Sequence, residues 1–276
     1  MTNDQNPRVY GLTDLTYDDY LKVKELTSLQ NPQSDPPHHD EMLFIIIHQS
    51  YELWFKLMMH ELNQAKLQMR KSAVLEAYHF LKRIVAIQKL LVSQIHILET
   101  MKPVDFLAFR DRLNPASGFQ SIQFRVFEFA LGLQDEEYLV HFKNKPHYTD
   151  LLEAEMKVPG LKQVYYELLG KLGMKIPQEA HLKEKDPTSK EALLKVLKEI
   201  YQSPNENMPI YLLTESLLEI DQYLSHWRDH HVRVVERIIG FKRGTGGSSG
   251  VGYLRATTEK KCFPLLWEVR TFLEKV

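Results

Sequence analysis

The chain has 276 residues, 43% of them apolar and 26% charged, with a net charge of −1 and a pI near 6.9. That is ordinary soluble-protein composition, and it leaves no global field to recruit nucleic acid or an anionic membrane. A single cysteine, Cys262, excludes an internal disulfide, a thiolate zinc cluster, a cysteine-ligated iron–sulfur cluster and a CxxCH haem attachment. The N-terminus MTNDQNPRVYG lacks a basic-then-apolar leader, and no apolar run approaches the ~18 residues of a bilayer span, so a cytoplasmic protein is expected.

In chain order, the first long element is the clearest. Neither proline nor glycine occurs between Pro37 and Pro103, a gap that β-structure with its frequent turns does not accommodate. Within it Phe44, His48, Tyr51, Phe55, Met58 and Leu62 recur at steps of four and three, the face of one helix turned to a core. After the polar break MRKS a second helix is predicted from about Ala73 to Met101. Shorter helical patterns cover Phe119–Leu133 and Leu161–Leu172. Residues 175–207 are polar, carry Pro177, Pro187 and Pro204, and read as an excursion around one helix at Lys190–Tyr201. A long helix is predicted from Pro209, a first-turn proline, to Ile239, and a last one from about Thr258 to Leu273. No repeat and no linker divides the chain. The expected class is all-α, one domain built on long antiparallel helices.

The long C-terminal helix carries the sharpest chemical inference. Its apolar stripe runs Leu213, Leu217, Ile220, Leu224, Trp227, Val234 and Ile238, and the residue completing it is His231. His230 lies about 100° round the helix, on a side shared with His226, Arg233 and Arg237. His48 likewise replaces an apolar residue in the first stripe. Two inward imidazoles leave two readings open: satisfied core histidines, or a haem or metal site between helices with one ligand and one opposite hydrogen-bonding group. A di-iron bundle needs two Glu-x-x-His motifs, and the chain has only Glu76–His79. His226 and His230 have the spacing of paired ligands but no HExxH.

Six of the twelve glycines fall between Gly240 and Gly252, in a basic loop KRGTGGSSG. It follows a helix, lacks the Lys-Ser/Thr of a P-loop, and has Ser249 where GxGxxG requires its third glycine. What remains is a loop costly to order, with Lys242, Arg243, Thr245, Ser248 and Ser249 able to close over an anionic or zwitterionic group. In FRDRLNPASGFQSIQFR, Arg110 sits among Phe106, Phe109 and Leu113 and must find a carboxylate, either within the fold or on a ligand. The turn Pro115–Gly118 offers Ser117 and backbone N–H groups.

Three motifs, HHDEMLFIIIHQSYELWFK, FRDRLNPASGFQSIQFR and VERIIGFKRGTGGSSG, together resemble the tryptophan 2,3-dioxygenase family, in order and over most of the chain. The resemblance implies an all-α homotetramer, a dimer of dimers, with one b-type haem per subunit. Ferrous haem and O₂ would open the indole C2–C3 bond of L-tryptophan to give N-formyl-L-kynurenine. His231 would be the axial iron ligand and His48 the distal group that hydrogen-bonds the indole N–H. Arg110 would clamp the substrate carboxylate, Thr245 would meet its amino-acid end, and Phe44 and Phe106 would wall the indole. Ser117 and Gly118 would lie beside the haem. The N-terminal YDDYL would bring Tyr17, Tyr20 and Leu21 to a neighbouring subunit's site, so that segment 1–37 contacts another chain. Phe106 stands where other members carry tyrosine, and His230 sits beside the ligand. The related indoleamine dioxygenases, broader in substrate, are the alternative, with a non-haem helical metalloprotein as a third. No role is implied for 175–207.

Overall fold

A computed structural model describes residues 14–179, 184–246 and 249–275. In chain order its helices are α1 (Tyr17–Leu21), α2 (Val23–Leu26), α3 (His39–Arg70), α4 (Val74–Leu98), α5 (Pro103–Arg110), α6 (Ile122–Leu131) and α7 (Glu137–Phe142). They continue with α8 (Pro146–Met156), α9 (Leu161–Lys171), α10 (Pro187–Gln202), α11 (Met208–Ile239), α12 (Val251–Thr258) and α13 (Pro264–Glu268). Among the described residues there is no strand, so the all-α class holds. Among them, too, no single helix is long and apolar enough to cross a membrane.

Local sequence explains where these elements begin and end. Helix α3 starts where His38 Nδ1 accepts from the Asp40 amide at 3.2 Å, with Asp40 and Glu41 in the first turn favouring the helix dipole. Prolines open α5, α8, α10, α11 and α13, where the missing N–H costs nothing. Helix α11 stops at Gly240, whose φ of 59° lies in the left-handed region.

The long helices α3, α4 and α11 form the frame, with α4 packed against both others. The predicted stripes are the buried faces: Tyr51, Phe55, Met58 and Leu62 on α3, and Leu213, Leu217, Ile220, Leu224, Val234 and Ile238 on α11. Helix α3 runs antiparallel to α4: Ser50 meets Gln94 and Glu61 meets Arg83. The expectation of antiparallel helices fails for α4 and α11. Lys82–Glu219, Gln88–Ile220 and His96–His230 rise together in number, so these two run in the same direction. The connection between them spans residues 99–207, long enough to return the chain to its starting end. A smaller apolar cluster of Phe129, Tyr138, Phe142 and Leu152 joins α6, α7 and α8.

The C-terminal segment departs from the single helix predicted for Thr258–Leu273. It is broken into α12, an irregular stretch, α13 and a 3₁₀ turn at Val269–Phe272. The break follows a buried carboxylate. Asp221 on α11, 0% exposed, accepts the Cys262 amide at 2.8 Å, the Phe263 amide at 3.1 Å and the Trp267 indole N–H at 3.0 Å. A bend at Cys262 and the non-helical Phe263, with φ −125°, present both amides to it, which a continuous helix would not. Replacing Asp221 with Ala leaves three donors unsatisfied in the core and is expected to destabilise the fold by about 3 kcal/mol. A lowered urea midpoint at unchanged slope is the measurement, with Asp221→Asn less affected.

Candidate active site

Two walls and a cover come from distant parts of the chain. The first wall is the N-terminal half of α3 with α5. His48 Nδ1 lies 2.7 Å from the Phe44 carbonyl one turn earlier. A carbonyl only accepts, so Nδ1 carries the hydrogen and Nε2 presents a lone pair. Burial pushes the His48 pKa below its ordinary value, opposed in part by the Phe44 carbonyl and the Glu52 carboxylate, so the ring is neutral. The Phe44 ring packs on His48 at 4.1 Å, and Phe106 and Phe109 of α5 lie 5.5 Å and 5.8 Å from Phe44.

The second wall is α11. His231 sits 5.2 Å from Trp227, whose indole packs on Phe124 of α6 at 4.9 Å and meets Tyr51 of α3 edge-on at 6.2 Å. Burial pushes the His231 pKa down to about 4, with the nearby His48 and Arg125 opposing a further positive charge. Two neutral imidazoles from α3 and α11 thus lie near enough that protonating one disfavours the other. The phase of the stripe selected His231, whose ring packs on Trp227. Its neighbour His230, on the side shared with His226, Arg233 and Arg237, is half-buried: its ring lies 5.2 Å from His96 at the end of α4, with Nδ1 covered.

The cover is the loop after α11. Arg110, at the end of α5, donates to the Arg243 carbonyl. Thr245 Oγ1 donates to the Ala116 carbonyl at 2.6 Å. A Cβ added at Gly246 would sit 2.7 Å from the Ser117 Cβ, so the loop backbone lies directly on the Pro115–Gly118 turn. Ser117 Oγ caps the following 3₁₀ turn by accepting the Phe119 amide at 3.3 Å, and Gly118 has open space beside it. The loop predicted as costly to order is therefore held at its described residues; Gly247 and Ser248 lie outside them. Val251–Thr258 is helix rather than loop.

Comparison with known proteins gives the chain's relatives. The family model described as tryptophan 2,3-dioxygenase matches residues 2–183 and 184–273. The chain is 42% identical over 261 residues to the tryptophan 2,3-dioxygenase of Serratia proteamaculans, covering 93% of this chain and 92% of that one. It is 40% identical over 273 residues to that of Myxococcus xanthus, covering 95% and 92%. The chain belongs to the tryptophan 2,3-dioxygenase family. The corresponding protein of Bacillus cereus is 40% identical over 266 residues, covering 94% and 93%, so the family relationship spans both walls and the cover.

Within this member of the tryptophan 2,3-dioxygenase family, the fold gathers Phe44, His48, Phe106, Arg110, Ser117, Gly118, Thr245 and His231 around one region, and leaves others out. Tyr17 and Tyr20 are 74% and 72% exposed, Leu21 is exposed, and α1 buries no residue and, among the described elements, packs only on α2. They do not reach the site of their own chain. Sequence reading also missed a group that closes the site's edge: Arg125 donates to Tyr138 Oη at 3.0 Å, and Tyr138 Oη meets Tyr253 Oη at 2.9 Å. The signal was present, since Arg125 and Glu128 are the two charges in a mostly apolar run, IQFRVFEFAL. A charge inside such a run needs a buried partner. Gly246→Ala is expected to lift the loop off the Ser117 turn, read as faster amide hydrogen exchange across residues 240–250 with the exchange of α3 and α4 unchanged.

Proposed function

We propose that the protein is a haem-dependent dioxygenase that adds both atoms of O₂ across the indole C2–C3 bond of L-tryptophan. The product is N-formyl-L-kynurenine, the entry to tryptophan catabolism through kynurenine. The observation that carries this reading is the pair of neutral, inward imidazoles, His48 and His231, placed beside Arg110 and its loop. The residues present suit a b-type haem. His231 keeps a neutral ring available to ferrous iron, Trp227 and Phe124 offer an apolar surface, and Arg125 Nε is buried without a partner among the described residues, ready for a carboxylate. Ser117 and Gly118 would border the group from the turn.

When bound, the haem supplies the ferrous iron that activates O₂, chemistry no side chain here can perform. The chain's own residues orient and enclose. His48 Nε2, with its lone pair, accepts the indole N–H, while Phe44 and Phe106 pack the ring faces; His48 is a positioning group rather than an obligatory base. Arg110 exchanges its bond to the Arg243 carbonyl for the substrate carboxylate, a stronger charge-assisted pair. Thr245 meets the amino-acid end, and the loop over it excludes water.

An intersubunit site accounts for Tyr17, Tyr20 and Leu21. Exposed in one chain, they are read as completing the site of a neighbouring subunit in a homotetramer, a dimer of dimers. Exposed apolar residues Ile46 and Leu53 on α3 and Leu90 and Ile97 on α4 support association. The chain is read as one haem dioxygenase domain. A free, buried Cys262 suits a reducing cytoplasm.

The test is an absorption spectrum before and after dithionite, with L-tryptophan then added under air: a Soret band that shifts on reduction, followed by formation of N-formyl-L-kynurenine. Colourless protein would refute the reading. His231→Ala is expected to abolish the Soret band, with His230→Ala nearly normal; the reverse ranking would move the ligand assignment. Arg110→Met is expected to lower kcat/KM for L-tryptophan by the equivalent of about 2–5 kcal/mol. Turnover of tryptamine, which has no carboxylate, should be nearly unaffected by the same change.

A further inference from the structure

Helix α6 and helix α11 close on a buried charge cluster. Glu128 accepts Arg125 Nη1 at 2.6 Å on one oxygen and Arg228 Nη2 at 2.5 Å on the other. Glu128, Arg125 and Arg228 are 2%, 7% and 3% exposed. Two guanidiniums share one carboxylate, so the cluster holds one positive charge in excess. Among the described residues only Glu128 forms an ion pair with either guanidinium, while Asp135 acts on Arg125 through space. Lys260 is matched by Asp135 at 2.5 Å, and the Arg228 contact to residue 260 is to its backbone carbonyl, at 2.7 Å. Tyr138, which meets Arg125, is kept protonated by burial. Asp221, two turns earlier on α11, directs its oxygens at the two amides and the indole described above.

The excess charge lies beside His231. Arg228 and His231 are three residues apart on α11, neighbours on the helix surface at about 5–6 Å between Cβ atoms. Arg125 follows Phe124, which packs on Trp227, one turn from His231. A fixed charge in a dry interior acts over such distances with little screening. Glu128 also determines how the two guanidiniums are held: it takes their Nη groups and leaves Arg125 Nε without a partner.

We propose that Glu128 is a positioning residue for the haem site: by bridging Arg125 and Arg228 it sets the charge balance beside His231 and thereby how readily the iron is kept ferrous. The proposal rests on the haem reading above. A positive charge near the iron favours the ferrous over the ferric state, so the cluster's charge balance should be readable as a reduction potential.

The experiment is a spectroelectrochemical titration of the haem-loaded protein and its variants. Glu128→Gln keeps the shape and removes one negative charge from the cluster. The ferrous-to-ferric ratio at a given potential should rise about tenfold, equivalent to about 59 mV for a one-electron couple. Arg228→Met removes one positive charge and should move the ratio about tenfold the other way. Glu128→Asp, with the charge retained, should stay within about twofold of wild type. A merely structural role would loosen the site in both charge-changing variants and shift them in the same direction. Unchanged potentials, shifts of like sign, or loss of folding or haem in both variants would overturn the proposal. Wild-type protein with no Soret band would instead overturn the haem reading itself, and this proposal with it.

Discussion

Tyr51 is the junction on which the site depends. Its hydroxyl donates to the Leu91 carbonyl of α4 at 3.1 Å, and its ring lies edge-on to Trp227 of α11 at 6.2 Å and to His48 on its own helix at 6.5 Å. One side chain therefore touches all three long helices at the level of both histidines. Burial pushes its pKa up to about 12, so at neutral pH it is a firm hydrogen-bond donor and never a charge beside the two imidazoles. If α3 slid by one turn against α4, His48 would no longer lie opposite His231.

Around that junction the interior is more charged than an all-helical core requires. Glu61, Lys66, Arg125, Glu128, Asp221 and Arg228 are all buried. Each is costly to desolvate and tolerable only with partners. Those partners come from remote segments: Arg83 for Glu61, Glu155 for Lys66 and residues 262–267 for Asp221. Buried charge therefore ties the short helices and the C-terminal segment to the three-helix frame in a single register. Apolar contact alone, being non-directional, would leave them free to slide.

The cover obeys a different logic. It is held by two side-chain-to-backbone hydrogen bonds and by the absence of a Cβ at Gly246, with little buried apolar surface. Such an attachment is strong enough to place the loop and weak enough to be exchanged when a carboxylate competes for Arg110. The rigid walls and exchangeable cover divide the work between orientation and access.

The sequence by itself determined the elements whose information is local. A stripe repeating every three to four residues over thirty positions defines both a helix and its buried face, so α3, α4 and α11 were legible, as was the inward phase of His48 and His231. Family motifs named the remaining site residues, which the fold then brought together, apart from the N-terminal tyrosines and Leu21. Only the tertiary structure decided the common direction of α4 and α11, the break of the C-terminal segment at Asp221, the packing of His230 on His96 and the Arg125–Glu128–Arg228 cluster. Each of these depends on a partner far away in the chain. Periodicity reports which side of a helix is dry, but says nothing of which distant group waits there.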